Sequence, residues 1–434
     1  MAQDQGGSEA TTSVDRTGGG GATAARVQRG GLRTFSSLQN NRDYRFLFTG
    51  TLSASAAHWL QFVAIGWFAL DITGSVFHSI MAVSVRSVPV LALGPWGGVM
   101  ADRWDRRKLA MGTQVLMAVS AFVFATLVVG GQVNTVWHLY AYTGISGIGF
   151  AINSPVRQAL VANTVRRTDM ANALALHATT ATSMRLTGAA IGGILLATVA
   201  IHWNFYLESV LYVGMILLLI PMRTPYQAAG TARRSSPMSN LKEGLSYMFG
   251  HQIMRRLLLV NFIRTGIFMP LLLLLPSYTF EALHRGPGVS TAMIVSMGIG
   301  GLVTSLIIST WGFFTKKGLV CLITLFTGSA VVFTVGMVPW VWLVVPIMAM
   351  MGISQTNNIV ANQTLIQLIV PDALRGRVSS VWQYESGLTP LFSLMIAAAA
   401  AIIGIAAAMA WAGGIAMALS LFFIFRYKDV RETD

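Results

Sequence analysis

Charge and cysteine are both scarce in this chain. Only 11% of its 434 residues are Asp, Glu, Lys or Arg, against about 25% in soluble domains. The one cysteine, Cys321, lies in an apolar run. It excludes an internal disulfide or a cysteine-rich metal site, and it reads as a small packed or lipid-facing residue. Acidic residues are the rarest charge, 16 against 30 Lys and Arg. No Gly-x-x-x-x-Gly-Lys-[Ser/Thr] phosphate loop occurs, so nucleotide hydrolysis is not the energy source. None of the seven histidines begins a His-x-x-x-x-Asp pair, and no other catalytic cluster appears, which argues against a membrane acyltransferase. No soluble domain large enough to signal is visible, which argues against a sensor or scaffold. The net charge of +14 is spread in short clusters between apolar spans, which is topology rather than a nucleic-acid-binding stripe.

What the chain has in abundance is apolar sequence, 54% of all residues. Crossing about 30 Å of hydrocarbon takes about 20 apolar residues. Twelve such stretches are read, at 46–70, 80–101, 108–130, 136–158, 171–199, 201–222, 257–281, 290–313, 319–338, 340–365, 377–403 and 405–426. The polar stretch 223–256, containing Arg233 and Arg234, divides them into two sets of six as a cytoplasmic linker. Residues 1–45 begin polar, with no cleavable secretion signal expected, and their Gly, Thr, Ala and Ser content predicts a largely disordered cytoplasmic tail. Residues 427–434 form a cytoplasmic C-terminal tail. The basic residues Arg42, Arg45, Arg166, Arg167, Lys316, Lys317, Arg375, Arg377, Arg426 and Lys428 fall on one side with Arg233 and Arg234, and the opposite loops hold almost none beyond Arg285. By the positive-inside bias both termini are cytoplasmic, in the inner cell membrane.

An internal repeat supports the halves. Residues 153–161 align without a gap on residues 358–366, matching Asn153 with Asn358, Gln158 with Gln363 and Leu160 with Leu365. Each block lies at the cytoplasmic end of its half's fourth span.

The loop from Gly98 to Lys108 carries Asp102, Arg103, Asp105, Arg106 and Arg107 between two apolar stretches. Its Gly-x-x-x-Asp-Arg-x-x-Arg-Arg spacing resembles the loop between the second and third helices of the major facilitator superfamily. Asp105 stands where the general signature has glycine, and an acid there is familiar in the branch that resembles enterobactin exporters and macrolide efflux pumps. The second half keeps a degenerate counterpart, Gly312 to Lys317. Branch likeness extends over the first half, through Gly66 and Trp67 with Thr73, Gly74 and Ser75, through Pro155 to Val161, and through Ala171 to Leu176. The resemblance implies an all-α integral membrane fold of two six-helix pseudo-repeat bundles. It also implies that Asp102, Arg103, Arg106 and Arg107 form a charge latch, Asp102 pairing with neighbouring helix ends in the outward-facing state. In the fifth span, Gly188, Gly192 and Gly193 resemble the exporter Gly-Pro-x-x-Gly-Gly motif, with Ala189 in the proline's place. Many drug–proton antiporters of this fold carry an arginine ahead of a fourth-span Gly-x-Gly. Here Gly147 and Gly149 are present without one.

Ionisable residues inside spans are costly and mark function by default. Arg86, Arg185, Glu208, Arg264 and Glu385 are the candidates. Arg185 either lines the central cavity or forms a buried pair, and Arg264 occupies a span that lines the cavity in the resembled fold. Glu208 is expected to pair with Arg86 or Arg185, and Glu385 with Arg264 or a loop arginine. The two acids are also the proton-carrier candidates. His58, beside Trp59 and Gln61, either touches substrate or packs neutral against a neighbouring helix. Gln355, Asn357, Asn358 and Asn362 make the tenth span polar, as a wet cavity face would be, with Trp59, Trp67, Trp382 and Met351 as possible apolar walls. The reading is a monomeric secondary transporter with no cofactor beyond the proton gradient. It exports amphipathic small molecules such as drugs, lipophilic metabolites or siderophores, with an importer or uniporter of a small metabolite as the alternative.

Overall fold

The computed structural model describes residues 36–166, 169–223, 237–311, 316–371 and 387–433, with Leu374, Val378 and Val381 between the last two stretches. The tail before residue 36, Arg167, Arg233, Arg234, Arg375, Arg377, Trp382 and Glu385 lie outside the described residues.

The first half opens with a short helix, α1 (Ser36–Asn40), and the long α2 (Arg42–Thr73). Both are pinned to the start of the fifth span. Ser37 Oγ donates to Asn172 at 2.6 Å, Asn41 Nδ2 to Asp169 at 3.1 Å and Tyr44 OH to the Ala173 carbonyl at 2.8 Å. Residues 36–45, expected in the tail, are therefore part of the bundle. Gly74 ends α2 with φ +62°, a left-handed conformation that favours glycine.

The second span is two helices, α3 (Val76–Val85) and α4 (Ser87–Arg103), broken at Arg86. Then come α5 (Arg106–Val129), α6 (Val136–Thr164), α7 (Met170–Thr198) and α8 (His202–Leu219). The linker contains a further helix, α9 (Pro237–Gly250). The second half follows as α10 (Gln252–Glu281), α11 (Pro287–Trp311), α12 (Lys317–Met337) and α13 (Val341–Ile369), then α14 (Thr389–Ile403), α15 (Ile405–Arg426) and the short α16 (Lys428–Arg431). The fold is all-α and membrane-embedded, as the sequence implied. Among the described residues, eight segments are both long and apolar enough to cross a bilayer by composition alone. The spans α2 and α6 fall outside that set, as do the shorter apolar segments Ser183–Thr198 of α7 and Thr389–Ile403 of α14. Exposed Trp137, Trp342, Trp411 and Phe425 suit a lipid-facing surface.

The halves repeat at the level of single hydrogen bonds. Asn153 of α6 donates to Thr113 Oγ1 at 2.8 Å and to the Ala110 carbonyl at 3.4 Å on α5. Asn358 of α13 donates to Thr324 Oγ1 at 3.3 Å and to the Cys321 carbonyl at 2.8 Å on α12. Gly147 extends the register, since a methyl group there would strike the Arg86 carbonyl. A methyl group at its counterpart Gly352 would likewise strike the Met297 carbonyl. Arg86 and Met297 thus hold equivalent places. Ser209 of α8 donates to the Ala118 carbonyl at 2.8 Å, and Gly413 of α15 abuts the matching Ser329 carbonyl. Glu208 is therefore the counterpart of Ala412, and Tyr212 of Ala416.

Candidate functional site

A cavity of about 650 Å³ lies within the first half and reaches Gln363 of the second. It is lined from α2 by Thr51, His58 and Trp59, from α5 by Gln114, from α6 by Phe150, Arg157 and Gln158, from α7 by His177 and from α8 by Tyr212. Exposed Gln158 and Gln363 sit about 9 Å from the end of their helices. That end carries the basic residues Arg42, Arg45, Arg106, Lys108 and Arg166, and it is called the basic end below.

At the opposite end the two halves press together. Gly66 of α2 packs on Pro276 of α10, and Gly193 of α7 on Thr291 of α11. Trp67 Nε1 donates to Ser290 Oγ at 3.0 Å. Deeper in, Leu186 packs on Gly298. Arg185 Nη1 crosses from α7 to Gln355 Oε1 of α13 at 2.8 Å.

Above the cavity sits a buried polar network held by the break at Arg86. Arg86 Nη1 donates to Gln61 Oε1. Gln61 Nε2 donates to Tyr142 OH at 2.7 Å and to Ser146 Oγ at 2.9 Å. Tyr142 OH donates in turn to Glu208 Oε2 at 2.5 Å. Glu208 is fully buried, under Tyr142, Phe124 and Phe205, whose rings pack mutually at 4.4–5.5 Å. Its second oxygen has no hydrogen-bond partner, and Arg86 and Tyr212 both lie within electrostatic reach. Two groups join this network to the cavity. Tyr212 belongs to both, and Phe150 takes the Arg86 guanidinium at 4.5 Å from its centroid while stacking on His58 at 5.1 Å.

Several cavity groups are buried without partners. They include both amide atoms of Gln114, His58 Nδ1, Arg157 Nε and Thr51 Oγ1. Buried polar atoms are normally satisfied, so this set can receive water or a ligand.

The family model described as a transmembrane secretion effector matches residues 33–434. The chain belongs to this family of major facilitator transporters. It is 21% identical to the staphyloferrin A transporter of Staphylococcus aureus (strain NCTC 8325 / PS 47), over 89% of this chain and 97% of that protein. It is 22% identical to the multidrug efflux pump Tap of Mycolicibacterium fortuitum, over 76% and 82%. A crystallised variant of the nucleoside transporter NupG superimposes with a TM-score of 0.74 at 12% identity, over 89% of this chain and all of that one. That last likeness concerns the fold.

The chain is thus a multi-pass membrane transporter of small molecules and not an enzyme, and its other sequence-identified residues fall into place around the cavity. The glycines of the fifth span divide their work. Gly188 and Gly192 let α7 close on α2 at Ala56 and Leu60, and Gly193 closes on the other half. Ala189 is buried in an unbroken helix.

In the loop, Asp105 caps α5 by accepting from the backbone N–H groups of Arg107 and Lys108 at 2.9 and 3.2 Å. Arg106 donates to Asn163 at 2.9 Å. Arg107 donates to the carbonyls of Leu219 at 2.8 Å and of Ile220, the unpaired end of α8. Gly98, Asp102 and Arg103 belong to the last turns of α4, and the side chains of Asp102 and Arg103 lie outside the described set.

One placement differs from expectation, that of the α13 amides. Arg185 forms a buried pair with Gln355, and Glu208 lies by Arg86, one of its two expected partners. Beyond Gln355, which meets Arg185 of the first half, the polar stretch of α13 turns into the second half instead of onto a wet face. There Asn358 bonds α12, Asn362 bonds Asn261 at 3.4 Å and half-buried Asn357 bonds its own helix at Ile353. Arg264 donates to Asn261 at 2.8 Å and Thr265 at 3.1 Å, while Glu385 lies outside the described residues. Tyr142, Tyr212, Gln114, Arg157 and His177 were not singled out from sequence as site residues, since tyrosine, glutamine and a histidine near a span end are ordinary there. A signal did exist for Arg157, which sits inside the repeated block opposite an uncharged Asn362.

Proposed function

We propose that the chain is a proton-driven exporter of amphipathic small molecules, working by alternating access with the cavity as its binding site. The observation that carries the reading is the arrangement of the halves. They are joined at one end by Gly66–Pro276, Trp67–Ser290 and Gly193–Thr291, and the cavity lies toward the other. With the basic end in the cytoplasm, this conformation faces the cytoplasm, ready to load. Rocking of the halves would part the outer contacts and unload on the far side. A relative named as a multidrug efflux pump supports the direction.

Glu208 carries the coupling. Its carboxyl is out of water, one oxygen held by Tyr142 and the other buried without a partner, with Tyr212 between it and the cavity. Gaining or losing a proton there changes the balance with Arg86, whose backbone forms the break between α3 and α4. A change of charge can thus bias the angle of the second span, the two-state element that alternating access requires.

The test is uptake into inside-out vesicles with and without an imposed proton gradient, using lipophilic cationic dyes, macrolides and catecholate siderophores. Gradient-dependent accumulation of one of them is expected. Uptake only into right-side-out vesicles would establish import instead.

A further inference from the structure

We propose that the cavity is built for an organic anion, a carboxylate-bearing molecule whose charged group sits against Arg157 while its body lies on Trp59 and Phe150. This rests on the cavity being the transport site. Among the described residues its lining holds a guanidinium and two imidazoles, from Arg157, His58 and His177, and no carboxylate. Glu208 stands behind Tyr212, tied to Tyr142.

Arg157 makes no hydrogen bond to any described group, and its Nε is buried without a partner. A guanidinium does not shed its proton to escape burial. The side chain is half-exposed on the cavity wall, and an ionisable residue at such a place among membrane spans marks function by default. The fold itself does not require the charge. At the equivalent place in the second half stands Asn362, an uncharged amide bonded to Asn261. The need met by Arg157 therefore lies in the cavity.

Its neighbours in the lining are hydrogen-bonding groups that bring no negative charge. His58 and His177 line the same cavity as Arg157, and Phe150 lies between His58 and the Arg86 guanidinium. The unpartnered Gln114 amide and the His58 ring nitrogen can donate to a carboxylate placed between them and Arg157. A cationic guest would face the same guanidinium with no described acid to offset it. The volume of about 650 Å³ leaves room for an aromatic or apolar body beyond the charged group.

Carboxyfluorescein and rhodamine 123 share one ring system and differ in charge. Their binding to the purified full-length chain is read by fluorescence anisotropy in detergent, with no gradient. The wild-type protein is expected to bind carboxyfluorescein about tenfold or more tightly than rhodamine 123. Arg157→Gln should abolish that preference, and Arg157→Lys should keep most of it. Equal binding, tighter rhodamine binding, or no binding of either probe up to millimolar concentration overturns the proposal. So does an unchanged preference in a folded Arg157→Gln. If that variant does not fold, the wild-type preference and its retention in Arg157→Lys decide. Anion-selective binding without gradient-driven movement in vesicles would sink the exporter reading and leave this one standing. Cation-selective binding with gradient-driven export would do the reverse.

Discussion

The two halves share a backbone plan and differ in what they bury. At equivalent places the first half has Arg86, Tyr142, Ser146, Glu208 and Tyr212, where the second has Met297, Ile347, Met351, Ala412 and Ala416. Structural bonds are duplicated, as Asn153 and Asn358 show. The titratable network is not. The second half instead closes with apolar contact around fully buried Met297 and Met351. A symmetric pair of bundles needs only one of them to sense a proton, provided the two move as rigid bodies about a shared site. The other can be a wall, and a dry wall of methionine and alanine is the cheaper to keep in a bilayer.

The largest effect comes from forcing the network onto the wrong half. Ala412→Glu places a carboxylate where the equivalent positions hold Ile347 and Met297 instead of a tyrosine and an arginine, at about 3 kcal/mol by insertion scales. Loss of most folded protein from the membrane, read by detergent extraction and size-exclusion chromatography, is the expected outcome. Near wild-type yield would mean the second half hides a partner for the charge.

Converting the first half toward the second should be nearly as severe in one step and mild in two. Arg86→Met leaves Gln61 and Glu208 without the buried cation and should cost about 3 kcal/mol. Adding Glu208→Ala should recover most of that loss in thermal unfolding, a coupling that a double-mutant cycle measures directly. Strict additivity of the two changes would deny that they form one network.

The duplicated bonds make a quieter test. Asn153→Ala and Asn358→Ala should each cost about 1 kcal/mol, and the two should agree within about 0.5 kcal/mol if the repeat is energetic as well as geometric. The smallest expected effect is conformational. Trp67→Phe removes one hydrogen bond from the outer seal, which should shift the population toward the outward-open state roughly fivefold. Spin labels at exposed Phe77 and Phe280, at the ends of α3 and α10 away from the basic end, would report a longer distance component.

Much of this contrast could be read before any coordinates. Hydropathy gave the spans, and the aligned block at Asn153 and Asn358 gave the repeat, because a buried amide bonding a neighbouring helix leaves the same residue in both copies. Arg86 and Glu208 stood out because charges inside apolar runs are rare. Their meeting through Gln61 and Tyr142 did not, since nothing in one helix's sequence says which face of another it meets. The α13 amides misled for the same reason, their polarity being satisfied inside the bundle rather than by water. The helix within the linker went unread as well, since a polar stretch shows no apolar span to mark it.

Substrate movement in inside-out vesicles carrying wild-type protein or Glu208→Gln tests the central claim most directly, because glutamine keeps the bond from Tyr142 and removes only the titration. Accumulation against a gradient and substrate exchange at equal concentrations are measured in the same preparation. The account predicts that Glu208→Gln loses gradient-driven accumulation and keeps exchange. Accumulation at the wild-type level would contradict it and remove Glu208 from the coupling role.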